Sequence, residues 1–151
     1  MTVFTEDYTK LPAVPGAYIL IVDLPEKTVL TIRKFKGTVL EPGQYAYFGS
    51  ARGPGGIKAR CRRHLRKDKK IHWHIDHLTT RTSSLRVAAI PGGNECQLAS
   101  STLADSAFEI PVPGFGSSDC KTCKSHLFRI NPKTDMENIV LINDDITLKA
   151  G

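Results

Sequence analysis

Three apolar runs of strand length crowd the first 50 residues of this 151-residue chain. "AYILIVDL" opens after Pro15-Gly16. "KTVLTIRKF" alternates apolar and polar residues, and "QYAYFGS" follows the turn signals Gly37 and "EPGQ". Short apolar or alternating runs between glycine and proline punctuation read as β-strands. Their connections are short, so they are expected to form an antiparallel meander.

The period then changes. From Gly56 to about Lys67, Ile57, Cys61 and Leu65 recur at helical spacing, with Arg60, His64 and Lys67 on a neighbouring face. "HWHIDHL" reads as a short helix and "SLRVAAI" as a buried strand. Asn94 can cap a helix running through Leu103, with Glu95 in its first turn. "EIPVPGFGSSDCKTC" is a long loop, and "SHLFRI" and "NIVLIND" are candidate late strands. The sum is one α+β domain over residues 1–151, a small central and mainly antiparallel sheet flanked by helices.

Charge is concentrated in one place. The net charge is +6, and between Lys58 and Lys70 eight cations face one acid, Asp68. Such a patch suits a polyanion, although it also occurs as a plain solvated helix face. No apolar run approaches the roughly 20 residues that span a bilayer, so no membrane partner is expected. The N-terminal residues lack the basic and apolar regions of a secretory signal. Four cysteines in a chain of this size suggest no disulfide framework, so the expected location is cytoplasmic.

Tyr18 follows Gly16 on the first run and Tyr47 precedes Gly49 on the third, with Tyr45 and Tyr47 on one strand face. Tyrosine is at home in strands, and a phenol with a pKa of about 10 is a poor base near neutrality. Beside cations it becomes a better one. Arg60 offers a planar fork for phosphate oxygens, and His64 can pass or donate a proton.

"GAY" at 16–18, "YFG" at 47–49 and "RCRRH" at 60–64 resemble the two tripeptides and the Arg-x-x-x-His helix of the GIY-YIG endonuclease superfamily. "GAYILIV", "YAYFGSA", "RRHLR", "HWHIDHL", "ECQLA" and "FGSSDC…SHLF" are, in that order, similar to its Uri-type branch of small stand-alone proteins. The resemblance implies a metal-dependent endonuclease that hydrolyses phosphodiester bonds in DNA. Tyr47 or Tyr18 would activate a water, Arg60 would clamp the scissile phosphate, and His64 would assist proton transfer. Glu95 would hold one divalent ion, Mg²⁺ or Mn²⁺, which suits a lone carboxylate with water ligands. Ser50, Arg52, Lys58, Arg63, Lys67, His74, Asp119 and His126 would contact the nucleic acid or wall its cleft. Single-stranded, nicked and branched DNA are candidate substrates, and RNA stays open.

The chain departs from that pattern in places. The motif tyrosines lie 29 positions apart, which "KTVLTIRKF" explains as an extra hairpin strand. Ala17 and Phe48 fill the middle tripeptide positions. Ser50 stands where some members carry Lys, a cation that Lys58 or Arg52 would replace.

Two further groupings carry weight as metal ligands. In "HWHIDH", His74 lies two positions from both His72 and Asp76, so on a helix these side chains diverge; His74 and Asp76 are expected to face the cleft. Cys120-x-x-Cys123 with His126 has partial zinc spacing but needs Cys96 or Cys61 as a fourth ligand, so zinc is not expected. Two rival readings follow: a non-catalytic DNA- or RNA-binding module, and a zinc-stabilised structural domain.

Overall fold

The run from Gly16 to Val22 is apolar without interruption, and both faces of that strand are buried. The computed structural model describes residues 4–103, 108–116 and 123–131. In chain order its strands and helices are β1 (Gly16–Leu24), β2 (Thr28–Val29), β3 (Val39–Leu40), β4 (Gly43–Ala51), α1 (Gly56–Leu65), α2 (Asp76–Thr79), β5 (Ser84–Pro91), α3 (Glu95–Leu103), β6 (Phe108–Glu109) and β7 (Leu127–Ile130). Five strands form one antiparallel sheet in the order β5-β1-β4-β7-β6. The α+β expectation holds.

The meander does not. β1 pairs with β4 along one edge and with β5 along the other, so its ladder has no place for a third partner. "KTVLTIRKF" contributes only Thr28–Val29 as a strand, which pairs with Val39–Leu40 in a separate two-stranded sheet. Arg33–Phe35 is a short 3₁₀ turn. The hairpin insertion therefore exists but sits outside the main sheet, sending Leu30, Phe35 and Leu40 into the core and leaving Val29 and Val39 exposed.

Strand alternation divides the sheet residues between two faces. Tyr18, Leu20, Val22, Tyr45 and Tyr47 join Ile57 and Cys61 of α1 and Ile75 and Leu78 in one core cluster. Ala17, Ile19, Ile21, Ala46 and Phe48 join Leu98 and Ala99 of α3 in the other. The sheet thus lies between helices, and the membership of each strand residue follows from odd or even position alone.

α1 starts where the sequence predicts and ends at Leu65, two residues earlier than expected. Gly55 takes a left-handed conformation (φ 82°) as its N-cap, and a side chain on Gly56 would overlap the Val14 backbone. Ile57 N–H donates to Val14 O at 2.9 Å and Lys58 N–H to Pro12 O at 3.0 Å, satisfying two of the helix's open donors. α3 begins as read: Asn94 Oδ1 accepts from Gln97 N–H at 3.0 Å. The "NIVLIND" strand lies outside the described residues. Among the described residues no helix is long and apolar enough to cross a membrane.

Candidate active site

Antiparallel register sets Tyr18 opposite Gly49 and Leu20 opposite Tyr47. The two motif tyrosines are therefore diagonal neighbours on one sheet face, and α1 packs over that face. A methyl group at Gly49 would overlap the Tyr18 phenol, and one at Gly116, where φ is 70°, would overlap the Tyr47 ring. Each tyrosine lies flat across a glycine, which is the physical reason for both residues.

A cavity of about 340 Å³ opens here. Tyr18, Tyr47, Arg60, His64 and Glu95 all line it, so five residues chosen from sequence motifs meet in one place. Ser50 and His126 join them. Trp73 and Gly116 also line it; neither stood out in the sequence. A tryptophan inside a histidine-rich stretch was the available signal for the first.

Tyr18 Oη lies 2.7 Å from His64 Nε2, and the residues are 2% and 1% exposed. Burial holds the Tyr18 phenol well above its ordinary range, with Tyr47 and Cys61 acting in the same direction against Arg60. Burial pushes Tyr47 up to about 12, with the Arg60 charge opposing. Burial also lowers His64 to about 3, and Lys69 acts in the same direction. His64 is thus neutral near pH 7. With Nε2 unprotonated, the phenol O–H donates to it. Nδ1 then carries the imidazole proton and is buried with no hydrogen-bond partner. An unpaired buried donor costs about 1–3 kcal/mol, and natural proteins keep few of them.

Arg60 is fixed from the side. Its guanidinium lies 4.4 Å from the Trp73 ring centroid, and that of Arg63 lies 4.2 Å from it. Trp73 is held in turn by Asp76, whose Oδ2 accepts from the backbone N–H of Trp73 at 2.9 Å and of His72 at 2.8 Å. Arg63 grips the same carboxylate with two hydrogen bonds, of 2.9 and 2.8 Å. Burial alone would raise the Asp76 carboxyl; the Arg63 hydrogen bonds and the Trp73 and His72 N–H groups outweigh it and hold it well below the usual range.

Asp76 does not face the cleft as expected. It is fully buried and organises the turn before α2. His74 does not line the cavity either: its Nδ1 accepts from Gly116 N–H at 2.9 Å, and its ring packs against Phe35 and Phe115. Lys67 donates to Thr82 O, and Arg63 is held by Asp76. Arg52 is exposed in the loop after β4, and Lys58 is half-buried on α1. Asp119 and Cys120 lie outside the described residues.

Glu95 opens α3, and its Oε2 is buried with no hydrogen-bond partner. A carboxylate oxygen in that condition beside a polar cavity fits a hard divalent cation. Next to it, Cys96, Cys123 and His126 bring their ligand atoms within 4.8 Å of one another. Cys61 is apart from them, buried in the opposite core cluster. Its thiol is pushed up to about 12 by burial, against the Arg60 charge.

Among known proteins, no curated protein and no solved structure matches the chain. A family model described as a domain of unknown function, DUF123, matches residues 17–146, a span that holds the whole cavity lining. The chain belongs to the DUF123 family.

Proposed function

We propose that this protein is a metal-dependent endonuclease of GIY-YIG type, acting on DNA in the cytoplasm. The observation that carries the reading is the convergence of two phenols, a guanidinium, an imidazole and an orphaned carboxylate oxygen on one cavity. Electrostatic complementarity supports the substrate class: cations dominate α1 and the residues that follow it, and a phosphodiester is an anion.

The Tyr18–His64 hydrogen bond favours Tyr18 over Tyr47 as the base. Neither phenol is ionised near pH 7. Tyr18 therefore accepts a proton from the attacking water while passing its own to His64 Nε2. The imidazolium so formed is costly at so buried a position, and the anionic phosphate beside it lowers that cost. Arg60, braced by Trp73, offers its fork to the phosphate and stabilises charge that grows there. Tyr47, close to Arg60, orients the water or phosphate by donating its O–H.

Glu95 would hold the Mg²⁺ or Mn²⁺ ion. Such an ion, when bound, supplies Lewis-acid stabilisation of the leaving oxygen. The test is cleavage of single-stranded, duplex and branched DNA with and without Mn²⁺, beside Glu95→Gln. The variant is expected to bind DNA normally and to lose nearly all cleavage. Cleavage by Glu95→Gln at the parent rate would overturn the metal role of Glu95, and cleavage in excess chelator would overturn metal dependence itself.

A further inference from the structure

We propose that Cys96, Cys123 and His126 bind one Zn²⁺ ion in the wall of the cavity. In the sequence, zinc is not expected because Cys120-x-x-Cys123 with His126 needs a distant fourth ligand, Cys96 or Cys61, and Cys96 lies 27 and 30 positions from Cys123 and His126. The fold removes that separation. Cys96 is the second residue of α3, and Cys123 and His126 lead into β7. α3 lies on the sheet face where its Leu98 and Ala99 share a core cluster with Phe128 and Ile130 of β7.

The distances fit a tetrahedral ion. With Zn–S near 2.3 Å and Zn–N near 2.0 Å, sulfur and nitrogen ligands of one Zn²⁺ lie about 3.6 Å apart. Cys96 Sγ and His126 Nε2 are 3.7 Å apart. Both remaining ligand pairs fall within 4.8 Å. Two thiolates and an imidazole are soft and borderline donors, which select Zn²⁺ over Mg²⁺ or Mn²⁺. This separates the site from Glu95, whose oxygen donor suits the hard ions. His126 is 5% exposed and the two cysteines are half-buried, so the donors sit in a protected but reachable place.

Binding replaces two thiol protons with one metal ion, and the protons leave to solvent. It also ties the first turn of α3 to the strand beside it. Glu95 precedes Cys96 directly, so the ion would steady the carboxylate that faces the cavity. Among the described residues the donors number three, and two of them, Cys96 and His126, also line the cavity.

The experiment uses the reduced full chain, stripped of metal and titrated with Zn²⁺ and separately with Co²⁺. Expected are one ion per chain, release of about two protons per zinc near pH 7, and a Co²⁺ spectrum with thiolate charge-transfer bands. Cys96→Ser, Cys123→Ser and His126→Gln are each expected to weaken binding at least ~100-fold, in line with loss of a direct ligand. Glu95→Gln is expected to leave Zn²⁺ affinity unchanged. Should a variant fail to fold, the parent chain still decides the matter: Zn²⁺ must slow the reaction of two thiols with a disulfide reagent. Sub-stoichiometric zinc, thiol reactivity indifferent to zinc, or undiminished affinity in Cys96→Ser and Cys123→Ser would overturn the site. Loss of zinc on Glu95→Gln would overturn this ligand set. DNA cleavage plays no part in these readouts, so a protein that binds zinc and cuts nothing would refute only the nuclease proposal.

Discussion

Tyr18 Oη and His64 Nε2 stand 2.7 Å apart although 46 residues separate them in the chain. One comes from β1 and the other from the last turn of α1, and both are nearly sealed from solvent. The pair gives Tyr18 a proton acceptor that Tyr47 does not have among the described hydrogen bonds. Tyr18→Phe keeps the ring over Gly49 and removes only the hydroxyl. Its cleavage rate under single-turnover conditions with Mn²⁺ is expected to fall about 10²–10⁴-fold, the usual contribution of a positioned acid–base group. Tyr47→Phe is expected to lose less. The reverse order would assign the base to Tyr47.

Acid should destabilise the protein in a defined window. Folding lowers the His64 pKa from 6.5 to about 3, so between these values the unfolded chain binds a proton that the folded chain refuses. Stability therefore rises with pH across that window and is undiminished by this group above about 6.5. The Asp76 carboxyl is depressed by folding, so its contribution is present above about 4 and is lost as pH falls further. Urea midpoints from pH 7.5 down to 4.5 are expected to decline in the parent and to decline less in His64→Gln. Equal slopes would mean that His64 is not held neutral by the fold.

Asp76 is a structural acid despite its place in a histidine-rich motif. Removing it leaves the backbone N–H groups of His72 and Trp73 and the Arg63 fork without their acceptor. Asp76→Ala is expected to cost about 3–5 kcal/mol in chemical denaturation, the range for breaking a buried charged pair. Arg60→Ala, which removes a pocket-lining cation and leaves that network intact, is expected to cost less than about 1 kcal/mol in stability while abolishing cleavage.

Gly49→Ala places a methyl group on the Tyr18 phenol, and β1 and β4 are too firmly paired to separate. A loss of about 1–3 kcal/mol is expected, as for other overpacked cores, together with loss of cleavage through displacement of the hydroxyl. Thermal denaturation and the cleavage assay check the two parts separately. A stable and fully active variant would mean that the ring can rotate out of the way.

DNA affinity should depend on salt in a residue-specific way. Arg52 is exposed in the loop after β4, whereas the Lys67 ammonium is already used by Thr82 O. Replacing Arg52 with Ala is expected to reduce the slope of log K against log[salt] by about 1. Lys67→Ala is expected to leave the slope unchanged. Fluorescence anisotropy at several salt concentrations measures both.

Much of this molecule is written locally. The unbroken apolar run of β1, the Asn94 cap of α3 and the glycine-punctuated start of α1 each follow from neighbouring residues, because hydrogen bonding and backbone sterics act over a few positions. The motif residues Tyr18, Tyr47, Arg60, His64 and Glu95 were legible through the resemblance of short motifs to those of GIY-YIG proteins. Side-chain chemistry and spacing within a strand or helix are local facts. What the chain order alone did not settle was who neighbours whom. β1 takes β4 and β5 as partners and leaves "KTVLTIRKF" to a satellite hairpin. Asp76 turns inward to hold Trp73, and Cys96 comes to His126 across 30 residues. Those choices belong to tertiary structure, since each strand has two edges to fill, and a buried charge or thiol goes where distant parts of the chain can satisfy it.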